Sequence, residues 1–221
     1  MRPFLIFGLT ANLGAMGELA GHERRGALLW PGRSAVIGLM GAALGIRRDG
    51  DFTGLDALTI TVGVYDTGTP LRDYHTIETV PSAAAKAPNS RPEALWSARG
   101  RTNTSITLRD YRAGPMFGVA VAGQGLETVS AALNAPRFTL YLGRKSCPLA
   151  APPGARVVAA ADPEAALAHL VLPPWRGGAR LHSLIVEDDA GEVVHDLAID
   201  RARWHFAPRR VVARPVGGVA Q

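Results

Sequence analysis

The sequence predicts an α+β fold, on three observations. Short apolar runs rich in β-branched and aromatic residues recur at 4–7, 58–64, 117–121 and 138–142, while apolar residues at helical spacing fill 34–45 and 126–133. In chain order these give strand, helix, strand, strand, helix, strand, the ferredoxin-like (RRM-like) arrangement whose open sheet face or edge is a common RNA platform. The tetrapeptide Leu71-Arg72-Asp73-Tyr74 returns as Leu108-Arg109-Asp110-Tyr111, and the stretch between, 82–101, is too poor in large apolar residues for a core.

The first strand, 4–7, ends at Gly8 and leads into a glycine-punctuated loop, 12–26, that holds His22, Arg24 and Arg25. Ser34 is a suitable N-cap for the first helix, Val36, Leu39, Met40, Ala43 and Leu44 are its apolar stripe, and Gly45 is its C-cap. The free N–H groups at that N-terminus, with Arg33 beside them, suit an anion; a structural cap without ligand fits the same residues. The second strand, 58–64, feeds a projecting insert, 70–111, whose legs are the two repeated tetrapeptides and whose tip is mobile until something holds it. On an extended leg Arg72 and Tyr74 share one face, and Asp73 and His75 the other. Beyond the palm, 162–170 reads as a helical turn, 187–191 as the turn of a hairpin, and 201–214 as a final strand with Trp204 and Phe206 alternating with basic residues.

The chain has 221 residues, 47% of them hydrophobic, which is enough for one cored domain spanning 1–221. Net charge is +5, and Lys86 and Lys145 are the only lysines among 24 basic residues, leaving 22 arginines. Planar guanidinium forks suit phosphates and base edges, so this balance favours a polyanionic partner. The single cysteine, Cys147, excludes an intrachain disulfide and a cysteine-based zinc cluster, and points to a reducing, cytoplasmic setting. The apolar stretches at 4–9 and 35–46 are too short for a membrane span.

Chemistry concentrates at Tyr141-Leu142-Gly143-Arg144-Lys145-Ser146-Cys147-Pro148. An apolar run stops at a glycine, two cations follow, and a proline forbids further ladder pairing, so Arg144 and Lys145 ride on a short stiff turn. A polyanion is the natural target; a solvated turn carrying two surface charges is the alternative reading.

Residues 142–148, preceded by Pro136-Arg137-Phe138, resemble the signature of the CasD family, the RAMP-type subunits at the foot of the type I-E CRISPR surveillance complex, Cascade. Pro31-Gly32-Arg33-Ser34 with 37–46 is similar to the family's first helix. Residues 71–76 and 109–111 are similar to its Arg-Asp-Tyr strand and returning leg, and 196–209 to its C-terminal segment. The resemblance implies a single RAMP-type domain, a ferredoxin-like palm with an inserted β-hairpin thumb and additional C-terminal strands. It implies a non-catalytic subunit without cofactor or metal that binds the 5′ handle of the guide crRNA, caps the backbone filament and anchors the large subunit. Target DNA would be met only through the complex, and no membrane is involved. The RNA contacts it implies are Arg25, Arg33, Ser34, Tyr74, His75, Arg144 and Lys145, and their neighbours Arg24, Arg109 and Ser146 complete the expected set. On the thumb, Lys86, Arg91, Arg99 and Arg101 would lie against RNA or a neighbouring subunit. Where the family commonly has Trp-Gly after its first strand, this chain has Met16-Gly17, and 87–103 has no counterpart.

The competing class is a metal-independent ribonuclease that processes repeat RNA. Such cleavage needs a base for the 2′-hydroxyl, an acid for the leaving oxygen and a cation for the phosphorane, types that Tyr74, His75 and Lys145 supply. The sequence shows no HExxH or CxxC motif for a metal nuclease.

Overall fold

The computed structural model describes residues 1–18, 24–85, 87–88, 90–201, 203 and 205–217. Its first half comprises β1 (Arg2–Thr10), β2 (Leu13–Gly14), β3 (Arg24–Arg25), α1 (Arg33–Leu44), α2 (Thr53–Asp56), β4 (Thr59–Asp66), β5 (Thr69–Thr79) and α3 (Arg91–Ala98). There follow β6 (Asn103–Ala113), β7 (Met116–Ala122), α4 (Leu126–Asn134), β8 (Arg156–Ala160), α5 (Pro163–Leu167), a 3-10 turn at Pro174–Arg176, β9 (Ser183–Asp200) and β10 (His205–Pro215). The chain is α+β, as the alternation of periods predicts.

Six strands form one antiparallel sheet in the order β10-β9-β4-β7-β1-β8. Because successive side chains leave opposite faces, Leu5, Phe7 and Leu9 of β1 join Val119, Val121 and Val62 under α1 and α4, and contribute to the main core with Val36, Met40, Val129 and Leu133. Burying a side chain such as Phe7 contributes about 1.5–3 kcal/mol, so this layer holds the palm together. Phe4, Ile6, Ala120 and Leu184 point the other way, to Ala166 and Leu167 of α5.

That second face corrects the expectation of an open RNA platform. Gly63 and Gly118 sit opposite each other on β4 and β7, and a Cβ on Gly63 would lie 2.7 Å from methyls of Leu167 and Leu181. The bare glycines let these leucines down onto the sheet, and α5 with the segment after it covers the surface.

Three further expectations are corrected. Residues 138–142 are not a strand: the Arg137 and Phe138 amides donate to Ala43 and Ala42 at the end of α1, so this apolar run seals the helix, and the strand beside β1 is β8. Gly32, not Ser34, is the N-cap of α1, and it offers no side-chain bond. Residues 187–191 do not turn a hairpin but bulge within β9, opposite the Arg210–Val211 step of β10. Within the 82–101 tip, α3 is capped by Ser90 and tucks Ala94 and Ala98 out of solvent. Gly45 does end α1 in the left-handed conformation. Trp204 and His22 lie outside the described residues, and no described helix is long and apolar enough to cross a membrane.

Candidate nucleic-acid interface

The insert is a second, smaller sheet. β5 and β6 pair antiparallel over their full lengths, while β2 (antiparallel) and β3 (parallel) share the other edge of β6, so the glycine-punctuated loop crosses the insert twice. The repeated tetrapeptide pairs with itself: Leu71 faces Tyr111, Arg72 faces Asp110, Asp73 faces Arg109 and Tyr74 faces Leu108. Antiparallel pairing reverses one copy, which sets each arginine against an aspartate.

Register divides the expected contact residues between two faces. One face carries Arg72, Tyr74, Leu108 and Asp110, joined by Arg24, whose partner in the ladder is Leu108. Arg24 and Arg72 both bridge Asp110 at 2.7 Å, and these hydrogen bonds, Arg72's first, hold the Asp110 carboxyl below the usual carboxylate range. Two guanidinium groups share one carboxylate on this face. Tyr74, 70% exposed, and Ile106 leave it partly apolar.

The opposite face carries Arg25, Arg109, Asp73, His75 and Tyr111. Arg25 and Arg109 are cross-strand neighbours, and neither side chain makes a hydrogen bond or ion pair among the described residues. Two residues along β6, the Tyr111 ring bears the Arg144 guanidinium 4.5 Å from its centroid. Three guanidinium groups thus share one face with a single carboxylate, Asp73, which pairs with none of them.

The 142–148 segment places Arg144 there. Leu142 and Cys147 are buried, the Leu142 amide donates to the Cys147 carbonyl at 2.8 Å, and the Cys147 amide donates to Arg144, which closes a tight loop with Lys145 and Ser146 exposed at its tip. Gly143 takes φ +87°, and a Cβ there would fall 1.8 Å from the Ala15 carbonyl oxygen. That close approach lets the Ala15 amide bond Leu142 at 3.0 Å, docking the loop against the chain between β2 and β3. Arg144 Nη1 is buried without a hydrogen-bond partner. Met16, where the related family commonly has tryptophan, is fully buried and belongs to the core.

Arg33 and Ser34 lie elsewhere. The N-terminus of α1 does meet an anion, but an internal one: the Arg33 amide donates to Asp196 at 2.6 Å, and Arg209 grips the same carboxylate with two bonds. The Arg33 side chain donates to the Leu58 and Asp56 carbonyls, and burial, followed by the charge of Arg209, lowers its pKa. These bonds consume it inside the palm. Of the tip residues, Arg99 and Arg101 are exposed, while Lys86 and the Arg91 side chain lie outside the described residues.

Sequence reasoning passed over Asp110 and Tyr111, which organise the two faces. Their signal was the repeat itself, since an Arg-Asp tetrapeptide repeated on two legs is self-complementary when antiparallel. Among the described residues no group of three His, Cys, Asp or Glu side chains could hold a metal ion.

Comparison with known proteins identifies the family. The model of the family described as CRISPR-associated protein (Cas_Cas5) matches residues 4–212. The Cascade subunit CasD of Escherichia coli (strain K12) is 33% identical over 186 residues, covering 76% of each chain. A chain from a solved CRISPR RNA-guided surveillance complex superposes with TM-score 0.71 at 28% identity, covering 96% of this chain and 90% of that one. A crystal structure of a Cas protein gives 0.65 at 26%, covering 96% and 94%. The chain belongs to the Cas5 family of CRISPR-associated proteins.

Proposed function

We propose that this protein is the Cascade subunit that holds the repeat-derived 5′ handle of the guide crRNA without cleaving it. β1, α1, β4, β7, α4 and β8 serve as a ferredoxin-like palm, and the insert spanning 70–111 serves as its thumb. The observation that carries the reading is the unneutralised face of Arg25, Arg109 and Arg144. Adjacent like charges repel, so a face of this kind is best satisfied by phosphates. Lys145, Ser146 and His75 flank it and add donors. Tyr74 and Arg24 stand on the opposite face, where Tyr74 offers a ring for a splayed base or a neighbouring subunit. Arg33 and Ser34 act by fixing α1.

The proposed partners beyond guide RNA are the backbone and large subunits, with target DNA met only through them. The same register speaks for binding without cleavage. A ribonuclease assembled from Tyr74, His75 and Lys145 would need all three around one phosphate, yet Tyr74 and His75 leave opposite faces of the sheet.

Labelled repeat RNA tests this reading, with and without chelator. Uncut RNA should be retained, and replacing Arg25, Arg109 and Arg144 by alanine should each reduce the salt slope by about one phosphate contact. Unchanged slopes in all three would remove this face from the site, and cut RNA would overturn the non-catalytic reading.

A further inference from the structure

Arginine and histidine donors also gather at the root of the insert. A cleft of about 410 Å³ is lined by Tyr65 and Asp66 at the end of β4, and by Trp175, Arg176, Arg180 and His182 after α5. Its size falls within the roughly 300–1,000 Å³ of small-ligand clefts. Trp175 is 62% exposed, an unusual position for an indole in a chain with four tryptophans.

Its backbone is fixed. Arg176 donates to Asp66 at 2.9 Å and to the Gly114 carbonyl, which ties the Pro174–Arg176 turn to both ends of the insert. That ion pair neutralises the one carboxylate lining the cleft. Arg180 and His182 are exposed, and their side chains make no hydrogen bond or ion pair among the described residues. The His182 amide donates to Val64, which anchors the far wall to β4.

A rigid exposed ring beside two unpaired donors suits a nucleotide, because every base has a π-face and every phosphate accepts from such groups. An apolar peptide would leave Arg180 and His182 unsatisfied, and an acidic one would not need the indole. We propose that this cleft is a second single-strand subsite, in which one unpaired base stacks on Trp175 and its phosphate is held by Arg180 and His182. The proposal rests on the reading of the chain as an RNA holder and adds a subsite away from Arg25, Arg109 and Arg144. The strand bound there is the guide RNA, and single-stranded DNA is the comparison strand.

The test uses the full chain with fluorescein-labelled single strands long enough to span both sites, one of RNA and one of the matching DNA. Trp175→Ala and the Arg180→Ala, His182→Ala pair should each weaken binding about five- to tenfold, the loss of one stacked base or its phosphate. Trp175→Phe should keep most of the affinity. The loss should be larger for RNA than for DNA, and a loss confined to the DNA strand would overturn the assignment to guide RNA. Full affinity in the Trp175 and Arg180/His182 variants, with loss in Arg109→Ala, would overturn the subsite and leave the thumb reading standing. No loss in any variant would remove both. Unchanged oligonucleotide affinity together with failure of Trp175→Ala to assemble with the other subunits would make the cleft a protein contact and overturn the proposal.

Discussion

Arg72 lies directly opposite Asp110 in the β5–β6 ladder and binds it at 2.7 Å, while Arg24 reaches the same carboxylate from β3. One aspartate therefore ties β3 to both strands of the insert. It also engages two arginines that composition alone would have assigned to RNA, whereas Arg25 and Arg109 on the other face have no carboxylate partner among the described residues.

Acid should loosen this tie. Asp110's carboxyl is held below its ordinary value, so the unfolded chain takes up the proton first, and the pairing contributes its full stability only above pH of about 4. That contribution falls as pH drops through the lower folded value. Amide exchange along β5 and β6 should accelerate in this window, and Asp110→Asn should abolish the dependence. Identical acid profiles in the two proteins would sink the assignment. The effect is local, because both arginines are substantially exposed and such pairs contribute about 0–1 kcal/mol.

Asp196 should behave differently. It is 2% exposed, caps α1 through the Arg33 amide and pairs with the nearly buried Arg209. Asp196→Ala strands a buried guanidinium and an amide, and should cost roughly 3–5 kcal/mol in urea unfolding. Asp188→Ala, whose partner Arg214 is exposed, should cost less than about 1 kcal/mol. Equal losses would refute the view that Asp196 is the internal anion of the helix.

Gly143→Ala tests the 142–148 loop through its backbone. The added Cβ would overlap the Ala15 carbonyl at a left-handed φ, so the loop must lift, at a cost of roughly 1–3 kcal/mol. RNA binding should fall about as far as in Arg144→Ala although every cation remains. Retained affinity would show that Arg144 does not depend on docking to Ala15.

Much of this was legible locally. Short apolar runs located β1, β4 and β7, helical spacing and Gly45 located α1, and the repeated tetrapeptides marked the legs of the insert. What failed was set by distant partners. Ser34 is the better cap by local preference, yet the carboxylate that reaches the end of α1 comes from 163 positions away. Arg33 reads as a surface cation until Asp56 and Leu58 supply its carbonyls. The run 138–142 has strand composition, but the Ala42 and Ala43 carbonyls at the end of α1 accept from the amides of Phe138 and Arg137 at its start. Face assignment of the arginines needed the register, and no single leg contains it.

The tip of the insert offers the last test. Thr79 pairs with Asn103, so the ladder closes before the tip begins, and α3 makes no extensive contact with any other described helix or strand. Ala85, Ala94 and Ala98 are buried but small, and contribute little of the burial that holds a core. Ordering the remaining residues costs about 1–2 kcal/mol each in backbone freedom, which contacts with RNA or a neighbouring subunit would offset. Trp96, 78% exposed on α3, is the group best suited to such a contact. Replacing residues 84–99 by a short Gly-Ser bridge should leave the thermal midpoint and the Arg25, Arg109 and Arg144 contribution to handle binding largely intact. Assembly with the backbone subunits should weaken, and Trp96→Ala alone should reproduce about tenfold of that loss. Normal assembly of the deletion, or equal amide protection of α3 in the free protein and in the complex, would show that the tip is a finished part of the fold and not a contact awaiting its partner.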